Sequence, residues 1–187
     1  LSNNTANGTA GTFNATAQIG ALTATYSLTS ILRTGSTISP STGTPQTTIV
    51  STPYGAQLVA VVKDAGNNPV PGITVTFTLP GGTGASGTFA TGGLTRVEIT
   101  NASGIVTSPV ITANTKKGAI VATARATGLA VPASFSLTNV PDVPATVTAR
   151  VGAQTATVYL DFARALSVQV KDQFGNTIPG VNVAFAL

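Results

Sequence analysis

Asp64, Glu98, Asp142, Asp161 and Asp172 are the only acidic side chains in this 187-residue chain, which has no histidine and no cysteine. That inventory limits the chemistry at once. Without His or Cys, the Ser–His and Cys–His nucleophile pairs cannot be assembled, and no Gly-x-Ser-x-Gly turn occurs. A glycosidase-type acid/base pair needs two carboxylates converging on one pocket. Asp64 and Asp172, however, lie in the same local motif, "VKDAGNNPVPGITVTFTL" (62–79) and "VKDQFGNTIPGVNVAFAL" (170–187), and so read as one position met twice. An Asp ahead of Gly- and Asn-rich residues accepts backbone N–H bonds that hold a turn. The structural turn is therefore assigned to Asp64, Asn68, Pro71 and Gly72 and again to Asp172, Asn176, Pro179 and Gly180. The alternative for these acids is calcium, with Asp142, Asp64 and Asp172 as the candidates, but few further oxygen donors are identifiable. The expectation is no metal site, no cofactor and no enzyme. The run Gly82-Thr83-Gly84-Ala85-Ser86-Gly87 has the formal spacing of a dinucleotide loop. A pyrophosphate site needs a helix directly after it, and "TFATGG" reads as strand and turn, so a loop between strands is expected.

The repetition extends well beyond the turn. The offset from Lys63 to Lys171 is 108, and the same offset links Asn68 to Asn176, Phe77 to Phe185 and Leu79 to Leu187. A second match runs from Thr5–Ala17 to Thr112–Ala124 at an offset of 107, continuing as "ATYSLTSI" against "ASFSLTNV". A period near 108 is the size of a domain rather than of a solenoid repeat. The domains predicted are the C-terminal strands of a partial unit at 1–32, a complete unit at 33–140, and the N-terminal strands of a further unit at 141–187. Pro141 and Pro144 restrict the linker between the last two.

Charged residues make up 7% of the chain, and Thr, Ala, Val, Gly and Ser dominate, a composition suited to strands and turns. The net charge of +4 is spread over scattered Lys and Arg, with only Lys116 and Lys117 adjacent, so no basic stripe marks a nucleic-acid surface. No apolar run reaches the length of a membrane span in this segment, and no signal-like leader opens it. With no disulfide available, each unit must be held by its core alone.

The elements that position the turns alternate with period two. Leu166, Val168 and Val170 share one face of "ALSVQVKD", and Ile73, Val75, Phe77 and Leu79 share one face of "GITVTFTL". Further strands are expected at 47–50, 95–100, 104–113, 118–126 and 133–140, punctuated by Gly, Asn, Asp and Pro. Tyr54, matched by Phe162, and Phe135, matched by Tyr26, are expected to pack as core anchors. The fold class predicted is all-β: tandem Ig-like β-sandwich domains with a period of about 108 residues.

The stretches "GAQLVAVVKDAGNNPVPGITVTF", "TNASGIVTSPVITAN" and "GAIVATARATG" resemble the bacterial Ig-like domains of the invasin and intimin type, repeated in surface adhesins. The resemblance implies an extracellular, bacterial cell-surface location and use as a rigid spacer or adhesive rod, with neighbouring Ig-like domains of the same or an adjacent chain as partners.

Three roles stay open at the level of sequence. One is a non-enzymatic spacer or stalk. Another is the subunit of a self-assembling filament, a homo-polymer in which the C-terminal strands of one molecule are completed by the N-terminal strands of the next. That arrangement would use Phe13, Tyr26 and Leu28 on one side and Leu166, Val168, Val170, Val183 and Phe185 on the other. The last is an adhesive module recognising a glycan or a host-surface protein.

Overall fold

The computed structural model describes residues 11–31 and 33–186, and among these it is all-β, with no helix. The N-terminal part of the Thr5–Ala17 match, up to Ala10, and Leu187 lie outside the described residues.

A central sandwich is built from β3 (Thr37–Thr42), β4 (Gln46–Ile49), β5 (Val59–Lys63), β6 (Thr74–Thr78), β7 (Gly87–Phe89), β8 (Thr95–Ile99), β9 (Ile105–Thr107), β10 (Ile111–Ala113), β11 (Gly118–Ala126) and β12 (Ala133–Val140). One sheet has the order β4-β12-β11-β6-β8 and faces the sheet β3-β5-β9, with the pair β10-β7 beside them. The reason is the period-two pattern. In β6 Val75 and Phe77 are buried while Thr78 is exposed, and in β11 Ile120, Ala122, Ala124 and Ala126 are buried. They meet Ala60 and Val62 of β5 and Phe135 and Leu137 of β12 in one core. The Phe77 and Phe135 rings lie 6.4 Å apart at 48°, a tilted aromatic pair at its center.

Two breaks in the strands are set by backbone chemistry. Between β3 and β4 the chain leaves one sheet for the other at Gly43, whose φ of 86° and approach to the Gln57 carbonyl leave no room for a side chain. The strand expected over 104–113 is two strands instead. Pro109 cannot donate to a ladder, and Ser108 marks the break: its Oγ accepts from Leu58 N at 3.1 Å. From there β9 stays with β5 while β10 pairs with β7. The glycine-rich run 82–87 leads into strand β7, so no helix terminus faces it, as expected for a loop between strands.

Outside the sandwich, β1 (Gly11–Ile19) and β2 (Leu22–Ser30) form a hairpin. Its register matches the pairing of β11 with β12. Ala15 opposes Tyr26 as Ala122 opposes Phe135, and Phe13 opposes Leu28 as Ile120 opposes Leu137. At the other end β13 (Thr146–Ala149) pairs with β14 (Val168–Lys171) as β3 pairs with β5, Val147 opposing Val170 as Ile38 opposes Val62. Three expectations fail here. The 165–172 strand is confined to 168–171, residues 181–186 join no ladder, and Phe162 and Tyr26 are exposed instead of packed. The cause is common to them. The strands that flank and cover the equivalent positions in the central sandwich have no counterparts against these residues among those described.

Candidate functional site

The two copies of the Asp turn have the same backbone. Asp64 N donates to Asn68 O at 2.9 Å and Asn67 N to Asp64 O at 3.0 Å; in the second copy Asp172 N donates to Asn176 O at 2.9 Å and Gly175 N to Asp172 O at 3.1 Å. Asn67 and Gly175 occupy the same left-handed position, φ 64° and 82°, which suits Asn and Gly and few other residues. Gly72 and Gly180, after Pro71 and Pro179, close the turn at φ 75° and 73°.

Each Asp carboxylate is saturated with N–H donors. Asp64 Oδ1 accepts from Gly66 N, Asn68 N and Asn68 Nδ2 at 2.9, 2.9 and 3.1 Å, and Arg33 Nε lies 3.7 Å from Oδ2. The Asn68 backbone bond, then its side chain, the Gly66 bond and the Arg33 charge hold this carboxyl below its usual range against burial. Asp172 Oδ1 accepts from Phe174 N at 2.9 Å and Asn176 N at 2.8 Å, while Oδ2 accepts from Asn176 Nδ2 at 2.8 Å and Asp142 N at 3.1 Å. Burial raises its pKa, and the bonds from Asn176, Asp142 and Phe174 outweigh that, leaving it below 3.8.

The surroundings of the two turns differ. Asp64 is half-buried and Asn68 is open to solvent, whereas Asp172 is 2% and Asn176 8% exposed. The second turn sits against the loop between β10 and β11. Asn176 Nδ2 donates to Thr115 O at 2.9 Å and Asn176 Oδ1 accepts from Lys117 N at 3.0 Å, so one amide clamps two backbone groups of the central sandwich. Lys117 Nζ donates to Thr177 O at 2.5 Å and also to Thr177 Oγ1. Gln173 Nε2 donates to Asp142 Oδ2 at 2.8 Å across the linker.

The loop that receives Asn176 is itself anchored in the core by a residue that sequence reasoning passed over. Asn139, on β12 and buried, donates from Nδ2 to Ser86 O, Asn114 Oδ1 and Lys116 O at 2.9, 3.1 and 3.0 Å. Its Oδ1 accepts from the buried Tyr54 hydroxyl at 2.5 Å, and burial pushes that phenol up to about 12. A continuous chain of polar contacts thus runs from Tyr54 through Asn139, the 114–117 loop, Asn176 and Asp172 to Asp142. The available signal was an Asn in an otherwise apolar inward row, Phe135, Leu137, Asn139. Chemically the arrangement is a fixed joint, its carboxylates directed at amides. No cluster of three or more His, Cys, Asp or Glu side chains that would hold a metal occurs among the described residues.

The remaining predicted residues fall into two apolar surfaces. Phe13, Tyr26 and Leu28 share one face of the β1–β2 hairpin, with Phe13 43% and Tyr26 57% exposed. Leu166, Val168, Val170, Val183 and Phe185 line an open groove of about 410 Å³ in the C-terminal segment, which buries only Val170 among them.

Fold and joint together define a class: an all-β protein with a central sandwich to which the C-terminal segment is hydrogen-bonded. The sequence matches no family model. The chain is similar to two solved structures of the surface layer protein SbsC, domains 1–6 (TM-score 0.41, 19% identity) and domains 4–9 (TM-score 0.41, 18% identity). Each match covers 90% of this chain, which spans 20% and 25% of the length of those structures. Among the described residues no helix is long and apolar enough to cross a membrane.

Proposed function

We propose that this chain is a non-enzymatic structural segment of a bacterial cell-surface protein, in which Ig-like sandwiches stacked end to end act as a stiff spacer. The units are 1–32, 33–140 and 141–187. The observation that carries this reading is the joint: Asn176, with Asp172 behind it, is buried against Thr115 and Lys117 and leaves little freedom between successive units. A flexible tether would instead need a linker of unbonded residues. The resemblance of the repeats to invasin- and intimin-type domains supports the location outside the cell and leaves the adhesive role to other parts of such a protein. Because the chain contains no cysteine, spin labels can be placed at will. Labels on Ser103 and Thr148, both exposed and on either side of the joint, should give one narrow distance distribution by double electron–electron resonance. A broad distribution would sink the spacer reading.

A second reading is favoured by the register identity of the hairpin and the sandwich. The face bearing Phe13, Tyr26 and Leu28 is the counterpart of one that β12 and β11 bury in the central sandwich, and the groove at Leu166 and Phe185 is the counterpart of the core that receives it. We infer that each is covered by complementary strands of a neighbouring unit, in the same polypeptide or an adjacent one, which in the latter case gives a filament. Phe13→Asp together with Tyr26→Asp should abolish polymers detected by light scattering, and polymers that persist would exclude the hairpin as the donor.

A further inference from the structure

The edge strand β8 carries its side chains in an order opposite to that of its neighbour's needs. Arg96 and Glu98 are half-buried and stand opposite the core residues Phe77 and Val75, whereas Val97 and Ile99 are 60% and 64% exposed on the outer face. β8 ends its sheet, with β6 on one side only. Thr100 N donates to Ile73 O and Leu79 N to Leu94 O, which places the even-numbered residues of β8 in the bonds to β6. The N–H and C=O groups of Thr95, Val97 and Ile99 therefore point outward along the free edge. Inward-pointing charge at such an edge normally repels an incoming strand.

The sequence of β8 makes one exception. In an antiparallel pair of two β8 strands centred on Val97, Arg96 faces Glu98 of the second copy and Glu98 faces its Arg96, while Val97 meets Val97 and Ile99 meets Thr95. The outward backbone groups fall opposite one another in that alignment, as a hydrogen-bonded ladder requires. Shifting the alignment by two residues in either direction puts Glu98 opposite Glu98 or Arg96 opposite Arg96, so charge selects a single register. The side chains are also ready for it. Arg96 uses Nε and Nη2 on Thr91 Oγ1 and Gly92 O, leaving Nη1 without a partner, and Glu98 makes no hydrogen bond or ion pair among the described residues.

We propose that β8 is a lateral interaction surface whose partner is β8 of a second copy of this chain. The contact is isologous, joins two five-stranded sheets into one continuous sheet, and sets Val97 and Ile99 beside Val97 and Thr95 of the second copy on the outer face. It is independent of end-to-end stacking and would tie neighbouring rods side by side. The area of one strand pair is small, so a single contact is weak and gains strength where several units align.

The test is a charge exchange followed by sedimentation velocity on the 187-residue chain. Wild type should show a dimer fraction that rises with concentration. Arg96→Glu and Glu98→Arg each place like charges opposite one another twice by symmetry and should weaken association about tenfold or more. An equimolar mixture of the two variants regenerates opposite charges at both positions and should associate again, as should the double variant Arg96→Glu/Glu98→Arg, which also serves if a single substitution disturbs the edge. A wild-type chain that stays monomeric at millimolar concentration, association unchanged by both single substitutions, or a mixture and a double variant that stay monomeric would overturn the proposal.

Discussion

Asn176 and Asn68 are the same residue in the same turn, and they do different work. Both donate to their own Asp, but only Asn176 also reaches the backbone of another element, through Thr115 O and Lys117 N. Leaving such buried groups without a partner costs about 1–3 kcal/mol each. Asn176→Ala should therefore raise the hydrogen-exchange rate of the Lys117 amide about tenfold or more, while Asn68→Ala leaves it unchanged. Equal rates in the two variants would remove Asn176 from the joint. The same site responds to acid. The Asp172 carboxyl is held below its ordinary 3.8, so its contribution is fully present above that value and is lost as pH falls through the lower folded-state pKa. The distance distribution across the joint should accordingly broaden below pH 3.8.

At the level of elements, what matters is which face of a strand finds a second sheet. Phe135 on β12 is fully buried against Phe77, and Phe135→Ala should lower stability by about 3–5 kcal/mol in urea unfolding followed by circular dichroism. Tyr26 holds the same register position in the β1–β2 hairpin at 57% exposure, and in the dilute, unassociated chain Tyr26→Ala should change stability by less than about 0.5 kcal/mol. A comparable loss from both would mean that the hairpin face is packed. The contrast between equivalent residues comes from their covering layer, since the two hairpins share one pairing scheme.

Over the whole molecule, the described chain is one sandwich flanked by two pieces with the pairing schemes of its own parts. Its polar chain, from Tyr54 to Asp142, passes from core to linker, and no buried side-chain N or O is left without a partner among the described residues. Such a chain makes the angle between sandwich and C-terminal segment a property of packing rather than of the two linker prolines. The free edge of β8 lies at the end of the five-stranded sheet, and the pairing proposed for it would add a contact separate from the proposed end-to-end stacking.

Period-two alternation in 72–79 was sufficient to define that strand and its inward face, because a half-buried strand must alternate, and 118–126 and 133–140 were legible as strands from their composition and punctuation. The offset of 108 between Lys63 and Lys171 likewise announced the repeated turn, and its residue types, Asp, Asn, Pro and Gly, are local chemistry that needs no distant partner. Four things were decided by tertiary structure. The 104–113 segment divides between two sheets at Ser108 and Pro109, residues 181–186 form no ladder, Asn139 is a buried anchor, and Asn176 is buried where Asn68 is not. Each depends on which segment, remote in sequence, arrives alongside, and a single strand or turn carries no record of its neighbour across the core.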